Sequence, residues 1–235
     1  MDNEIRFFED YVSKFDKTNE KVEHKYNHSY RVVGYAKEIA NSLNISEKEK
    51  TRASISALFH DIGRFPQAEE YNTYNDEESF DHGDIGAKVL KEKGYNDDIV
   101  LNVVKYHNKK EIPKFDELTD MHLKIVRDAD KIDIMTIWGN KKSDENSIAS
   151  EDIINCFKKH IQMDNNMGDT EFIYTLRCLA FVFDINYKKS IEIIINKGLI
   201  PFKLNLARNE CNKEQIDLIE KELKNFIKEK FDIII

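Results

Sequence analysis

The chain has 235 residues, 40% of them hydrophobic, with only eight glycines and three prolines. That is long enough for a sizeable core and too poor in turn residues for a β-rich architecture. The formal net charge of −8 supplies no global basic footprint, which argues against long nucleic acid held through many phosphates. Small phosphate esters stay open, because a bound metal can set the local field.

Residues 4–15 place Ile5, Phe8, Val12 and Phe15 along one side of a helix. A second helix is clear from His28, where Val32, Ala36, Ile39, Ala40 and Leu43 recur at three and four. Ser46, with Glu49 three residues on, predicts a capping box for a helix running to Phe59 and stopped by Gly63 and Pro66. Residues 67–83 read as a polar loop, and Asp84 to Lys93 as a short helix ended by Gly94. Asp97 caps another that ends near His107, before Pro113. Further helices are expected near 119–138, 150–161, 170–196 and 212–230, with breaks at Gly168, Gly198 and Pro201. The expected fold is all-α, one domain over 1–235, with a core at about 20–140 and additional C-terminal helices over about 141–235.

Cys156, Cys178 and Cys211 form no CxxC pair and read as free thiols. The opening MDNEIRFFEDYVSKF is acidic and amphipathic, unlike a signal peptide. No run approaches the ~20 apolar residues of a membrane span. A cytoplasmic chain with no membrane partner is expected.

Chemistry concentrates in a dispersed series: His28, the pair His60-Asp61, His82, His107, and Asp130 within RDADKID. Scattered groups of this kind suit a bundle in which each helix projects one ligand into a shared site. Neighbouring helical residues point ~100° apart, so His60 and Asp61 can face different sides of a metal centre, with Asp61 placed to bridge two ions. Mixed imidazole and carboxylate donors favour Mn, Fe, Ni or Zn over Mg. Asp128 or Asp133 could replace Asp130 if the latter pairs with Arg127. Arg31 either takes part in chemistry or braces a carboxylate. His24, one turn before His28, reads as structural, and His122 and His160 as surface or helix-end residues. Tyr106 and Trp138 read as core packing.

The runs HSYRV (28–32), ALFHDIGRF (57–65) and RDADKID (127–133) resemble the HD superfamily of metal-dependent phosphohydrolases over roughly residues 20–140. The resemblance implies an HD-domain helical bundle in which His28, His60, Asp61 and Asp130 bind a first metal. His82 and His107 stand where HD-GYP phosphodiesterases and some dinucleoside polyphosphate hydrolases add two histidines, implying a second metal bridged by Asp61. The chain departs from the HD-GYP branch in lacking the GYP element and in carrying Asn108 after His107. The implied activity is hydrolysis of a phosphate ester or anhydride in a small nucleotide-like molecule by a metal-activated hydroxide. One or two divalent transition-metal ions per chain are the implied cofactor. Asp61 is the catalytic centre, with Arg64 and Lys131 as the cations that meet developing negative charge. Two other readings stay open at this point: a di-iron oxygenase of the HD type, and a non-catalytic nucleotide-binding sensor.

Overall fold

The computed structural model describes residues 1–137, 147–208 and 212–235. Trp138 and Cys211 lie outside these, as does the far end of the helix expected over 119–138. The regular elements among the described residues are all helices, with no β-strand. They divide into two compact units, Met1–Asp133 and Ile134–Ile235.

The first unit is built on a long helix, α2 (Glu20–Asn41), and its antiparallel neighbour α3 (Glu47–Phe59). On α2 the buried positions Val22, Val32, Val33, Ala36, Ile39 and Ala40 follow helical spacing and make one apolar stripe. The second half of α3, Ala53 to Phe59, is buried on every side, so it runs through the core. Helix α1 (Asp2–Val12) closes one flank, with Phe8 making ring contacts with Tyr26, Tyr30 and Phe65. Burying a ring such as Phe8 contributes roughly 2–3 kcal/mol.

Helix α2 begins eight residues before His28, where the Asn19 side chain accepts from the Lys21 amide. Ser46 caps α3 as expected, accepting from the Glu49 amide. The Glu49 carboxylate does not return to complete the box; it binds Arg52 and His122. Two expectations fail nearby. Pro66 does not end helical structure but sits in the first turn of α4 (Arg64–Tyr71). A missing N–H costs nothing there, because that amide has no intrahelical acceptor. The segment 67–83 is therefore part helix, with a loop reaching to α5 (His82–Glu92), which Asp81 caps through the Asp84 amide. Asp97 caps α6 (Asp98–Tyr106), and α7 spans Glu117–Thr136.

His122 on α7 is wholly buried rather than a surface group. Its Nε2 donates to Glu49 Oε2 at 2.7 Å, while Nδ1 is buried without a partner. Protonating Nδ1 would strand an N–H. Burial accordingly holds the pKa below its ordinary 6.5, with Glu49 opposing. A lowered folded-state pKa means that the unfolded chain takes up the proton first, so this contribution to stability holds above about pH 6.5 and declines as pH falls. The urea midpoint is expected to drop from pH 7 to 5. His122→Gln, which keeps a donor to Glu49, should flatten that dependence; equal slopes in wild type and variant would refute this.

The second unit contains α8 (Glu151–Lys158), α9 (Glu171–Ala180), α10 (Lys188–Asn196), α11 (Leu199–Arg208) and α12 (Lys213–Phe231). The single helix expected over 170–196 is broken by a 3-10 turn at Phe181–Asp184. Gly198 does break the chain, in a left-handed conformation, but Pro201 again lies in a first turn, that of α11. Cys156 and Cys178 are buried free thiols. Burial pushes the Cys178 thiol up to about 11, so it is inert at neutral pH. Among the described residues no helix is long and apolar enough to cross a membrane.

Candidate metal centre

Five helix ends or faces in the first unit converge on one point. α2 supplies His28, the turn after α3 supplies His60 and Asp61, and the first residue of α5 is His82. The residue at the C-terminal end of α6 is His107, and α7 supplies Asp130.

The geometry divides into two halves around Asp61. His28 Nε2 lies 3.2 Å from His60 Nε2 and 3.1 Å from Asp130 Oδ1. His82 Nε2 lies 3.1 Å from His107 Nε2. Asp61 Oδ2 faces the first pair, at 3.4 Å from His28 and 3.5 Å from His60. Its Oδ1 faces the second, at 3.4 Å from His82 and 3.6 Å from His107. Donor atoms of His28, His60 and Asp130, and of His60, Asp61 and His107, lie close enough to share an ion.

Every one of the four imidazoles is oriented from behind. Nδ1 of His60 and His107 donates to the carbonyls of Ala57 and Val104, at 2.7 and 2.8 Å. Nδ1 of His28 donates to Asp133 Oδ2 at 2.6 Å, and Nδ1 of His82 to Asp76 Oδ2 at 2.7 Å. With Nδ1–H engaged, a neutral ring presents its Nε2 lone pair inward. His82 and His107 present two such lone pairs 3.1 Å apart, which repel unless a cation lies against them, and the histidine and aspartate donors of the cluster fit a divalent metal.

Burial and the Lys25 charge oppose protonation of His28, yet the carboxylates of Asp130, Asp133 and Asp61 outweigh them and hold its pKa up at about 10. Burial lowers His82 to about 4 despite Asp76, and lowers His107 as well. Those two rings are neutral at pH 7 and already in the ligating form. Burial would raise Asp61 and Asp130, but Lys25 and the histidines around Asp61, and His28 and His60 beside Asp130, hold both far below the usual carboxylate range. Asp130 is the most open of the six, its side chain 22% exposed, so solvent reaches the cluster there. A cleft of about 430 Å³ lined by Glu4, Arg52, Tyr95 and Asp97 shares no residue with it.

Arg64 opens α4, and its Nη1 is held by Gln67 Oε1, the Tyr74 carbonyl and Asp76 Oδ1, with Nε 3.6 Å from Asp61 Oδ1. Lys131 is largely buried on α7, its Nζ 3.5 Å from the Arg127 carbonyl. Arg127 donates to the carbonyls of His107 and Lys109. Arg31 braces Asp133, donating to both its oxygens. Sequence reasoning missed Lys25, whose Nζ lies 2.6 Å from Asp61 Oδ2. The available signal was its position one turn before His28, on the same helix face. Asp76, deep in the presumed loop, carried no signal at all.

A helical unit with a largely buried cluster of four histidines and two aspartates defines the class, and residues 26–135 match the family model of the HD domain. That stretch, just under half of the chain, is similar to the HD domain, and the histidine and aspartate groups within it could hold a metal ion. It is similar to Ribonuclease Y from two strains of Ureaplasma parvum serovar 3, each 31% identical over 103 residues. Those residues are 44% of this chain and 19% of each relative. No solved structure matches it significantly.

Proposed function

We propose that the chain is a cytoplasmic metal-dependent phosphohydrolase with a binuclear centre, acting on a phosphate ester or anhydride in a small nucleotide-like molecule. The observation that carries this reading is the division of Asp61: one oxygen faces His28 and His60, the other faces His82 and His107. His28, His60, Asp61 and Asp130 would hold one divalent ion, and His82, His107 and Asp61 the other. The first half offers four protein donors and the second three, so the second keeps more room for substrate oxygen. When bound, such ions polarise phosphoryl oxygens and bring the pKa of water towards ~7.

The chain's own residues orient and neutralise. Asp133 and Asp76 fix the rings of His28 and His82, and the two backbone carbonyls fix the others. Arg64, anchored on Asp76 and beside Asp61, keeps positive charge where the phosphoryl group gains negative charge, and Lys131 is proposed to add to it from the helix of Asp130. The likeness to Ribonuclease Y supports a second reading, an RNA phosphodiester as substrate, against which the net charge of −8 weighs.

Metal analysis of anaerobically purified protein tests the centre: about two ions per chain are expected, falling to about one in His82→Ala. One ion in both proteins would remove the second half-site. Mn²⁺-dependent release of phosphate or nucleoside monophosphate from nucleotides, lost in His60→Ala, tests the chemistry. Cleavage of single-stranded RNA alone would favour the second reading, and substrate-dependent oxygen uptake by an iron-loaded protein would replace both.

A further inference from the structure

Lys25 stands one turn before His28 on α2, and its ammonium contacts the one oxygen of Asp61 that faces His28 and His60. Its head also lies 5.1 Å from the centre of the Tyr74 ring, and its side chain is 12% exposed. Arg64 shares that ring, at 5.9 Å, and approaches the other Asp61 oxygen. The two cations flanking Asp61 differ in how they are held. Arg64 is tied through Nη1 to Gln67, Tyr74 and Asp76. Lys25 is held at its head by Asp61 and by the face of Tyr74, on a flexible four-carbon stem.

We propose that Lys25 is a mobile counter-charge: it occupies Asp61 Oδ2 while the metal is absent, and turns to the anionic group of the substrate once an ion takes that oxygen. The inference rests on the metal reading of the site. An ion held by His28, His60 and Asp130 would take its fourth protein donor from Asp61 Oδ2, and an ammonium 2.6 Å from the same atom would compete with it. Like charges this close repel strongly outside bulk water, so Lys25 weakens metal binding for as long as it stays. Released, it becomes a donor with a full charge beside the cluster and without a fixed acceptor. A phosphoryl oxygen is the group of opposite charge that the site is built to receive. Asp61 is thereby never left as a bare buried carboxylate, which would be costly in a metal-free protein.

The test titrates Mn²⁺ into metal-stripped wild type, Lys25→Met and Lys25→Arg by calorimetry, and then inorganic phosphate into the Mn²⁺-loaded proteins. Lys25→Met is expected to bind Mn²⁺ on the order of tenfold more tightly and phosphate on the order of tenfold more weakly, since one competing charge is removed. Lys25→Arg should stay near wild type in both. Lys25→Gln, uncharged but polar, is carried alongside and should follow the methionine variant, which keeps the result readable if that variant folds poorly. Unchanged or weaker Mn²⁺ binding in the uncharged variants overturns the competition, and unchanged phosphate binding overturns the transfer to substrate. A wild type that binds no Mn²⁺ overturns the metal reading itself, a failure distinguishable from the other two.

Discussion

Asp61→Asn should leave a folded protein whose second half-site no longer holds an ion and whose turnover falls by about 10³ or more, equivalent to roughly 4 kcal/mol of barrier. The size of the effect follows from position rather than from residue type. Among the described residues, Asp61 is the side chain with an oxygen towards each histidine pair. Without its charge the second half retains only His82 and His107, too few to hold a divalent ion firmly, whereas the first retains His28, His60 and Asp130. Asparagine preserves shape and a weak carbonyl donor, so lost charge is tested apart from lost volume. Elemental analysis together with Mn²⁺-dependent phosphate release reads both effects. Two ions per chain with turnover within tenfold of wild type would contradict the bridging position.

Gly63→Ala and Gly34→Ala are expected to move stability in opposite directions. A Cβ on Gly63 would stand 2.1 Å from the His82 carbonyl oxygen and 2.8 Å from the Gly86 amide nitrogen, both backbone atoms that cannot swing aside. Gly63 has an ordinary φ of −74°, so the requirement is close approach rather than a left-handed turn. This approach presses the start of α5 against the turn carrying Asp61 and thereby sets His82. We expect a loss of about 3 kcal/mol for Gly63→Ala, together with weaker metal binding in the second half-site, because the backbone of His82 must retreat. Gly34 lies exposed in the middle of α2 with nothing within 4 Å of an added Cβ. There alanine lowers only the entropy of the unfolded chain and should add about 0.5–1 kcal/mol. Thermal melts of the metal-free proteins distinguish the two; a Gly63→Ala melt matching wild type would show that the contact yields freely.

The same contrast explains what a reader of the sequence could and could not obtain. Apolar recurrence on α2, the Ser46 cap and the aspartate before α6 are decided within four residues of chain, because helical hydrogen bonds and caps join near neighbours. The histidine and aspartate series was also legible, since HSYRV, FHDIG and RDADKID are local runs whose order resembles a known pattern. Pro66 and Pro201 misled because proline breaks a helix interior but fits a first turn, and where a helix begins is settled by packing. The partners of the ligand series were out of reach: Asp133 meets His28 from 105 residues away, and Lys25 meets Asp61 from 36. His122 looked like a surface group until α7 was laid against α3. By itself the sequence determined the all-helical class, most of the helices and the caps at Ser46 and Asp97, through short-range periodicity, and it singled out the histidine and aspartate series through its local motifs. Only the tertiary structure decided which oxygen of Asp61 faces which histidine pair, which groups hold the rings from behind, and that a lysine shares the central carboxylate. Those facts depend on distances between helices, and no spacing along the chain encodes them.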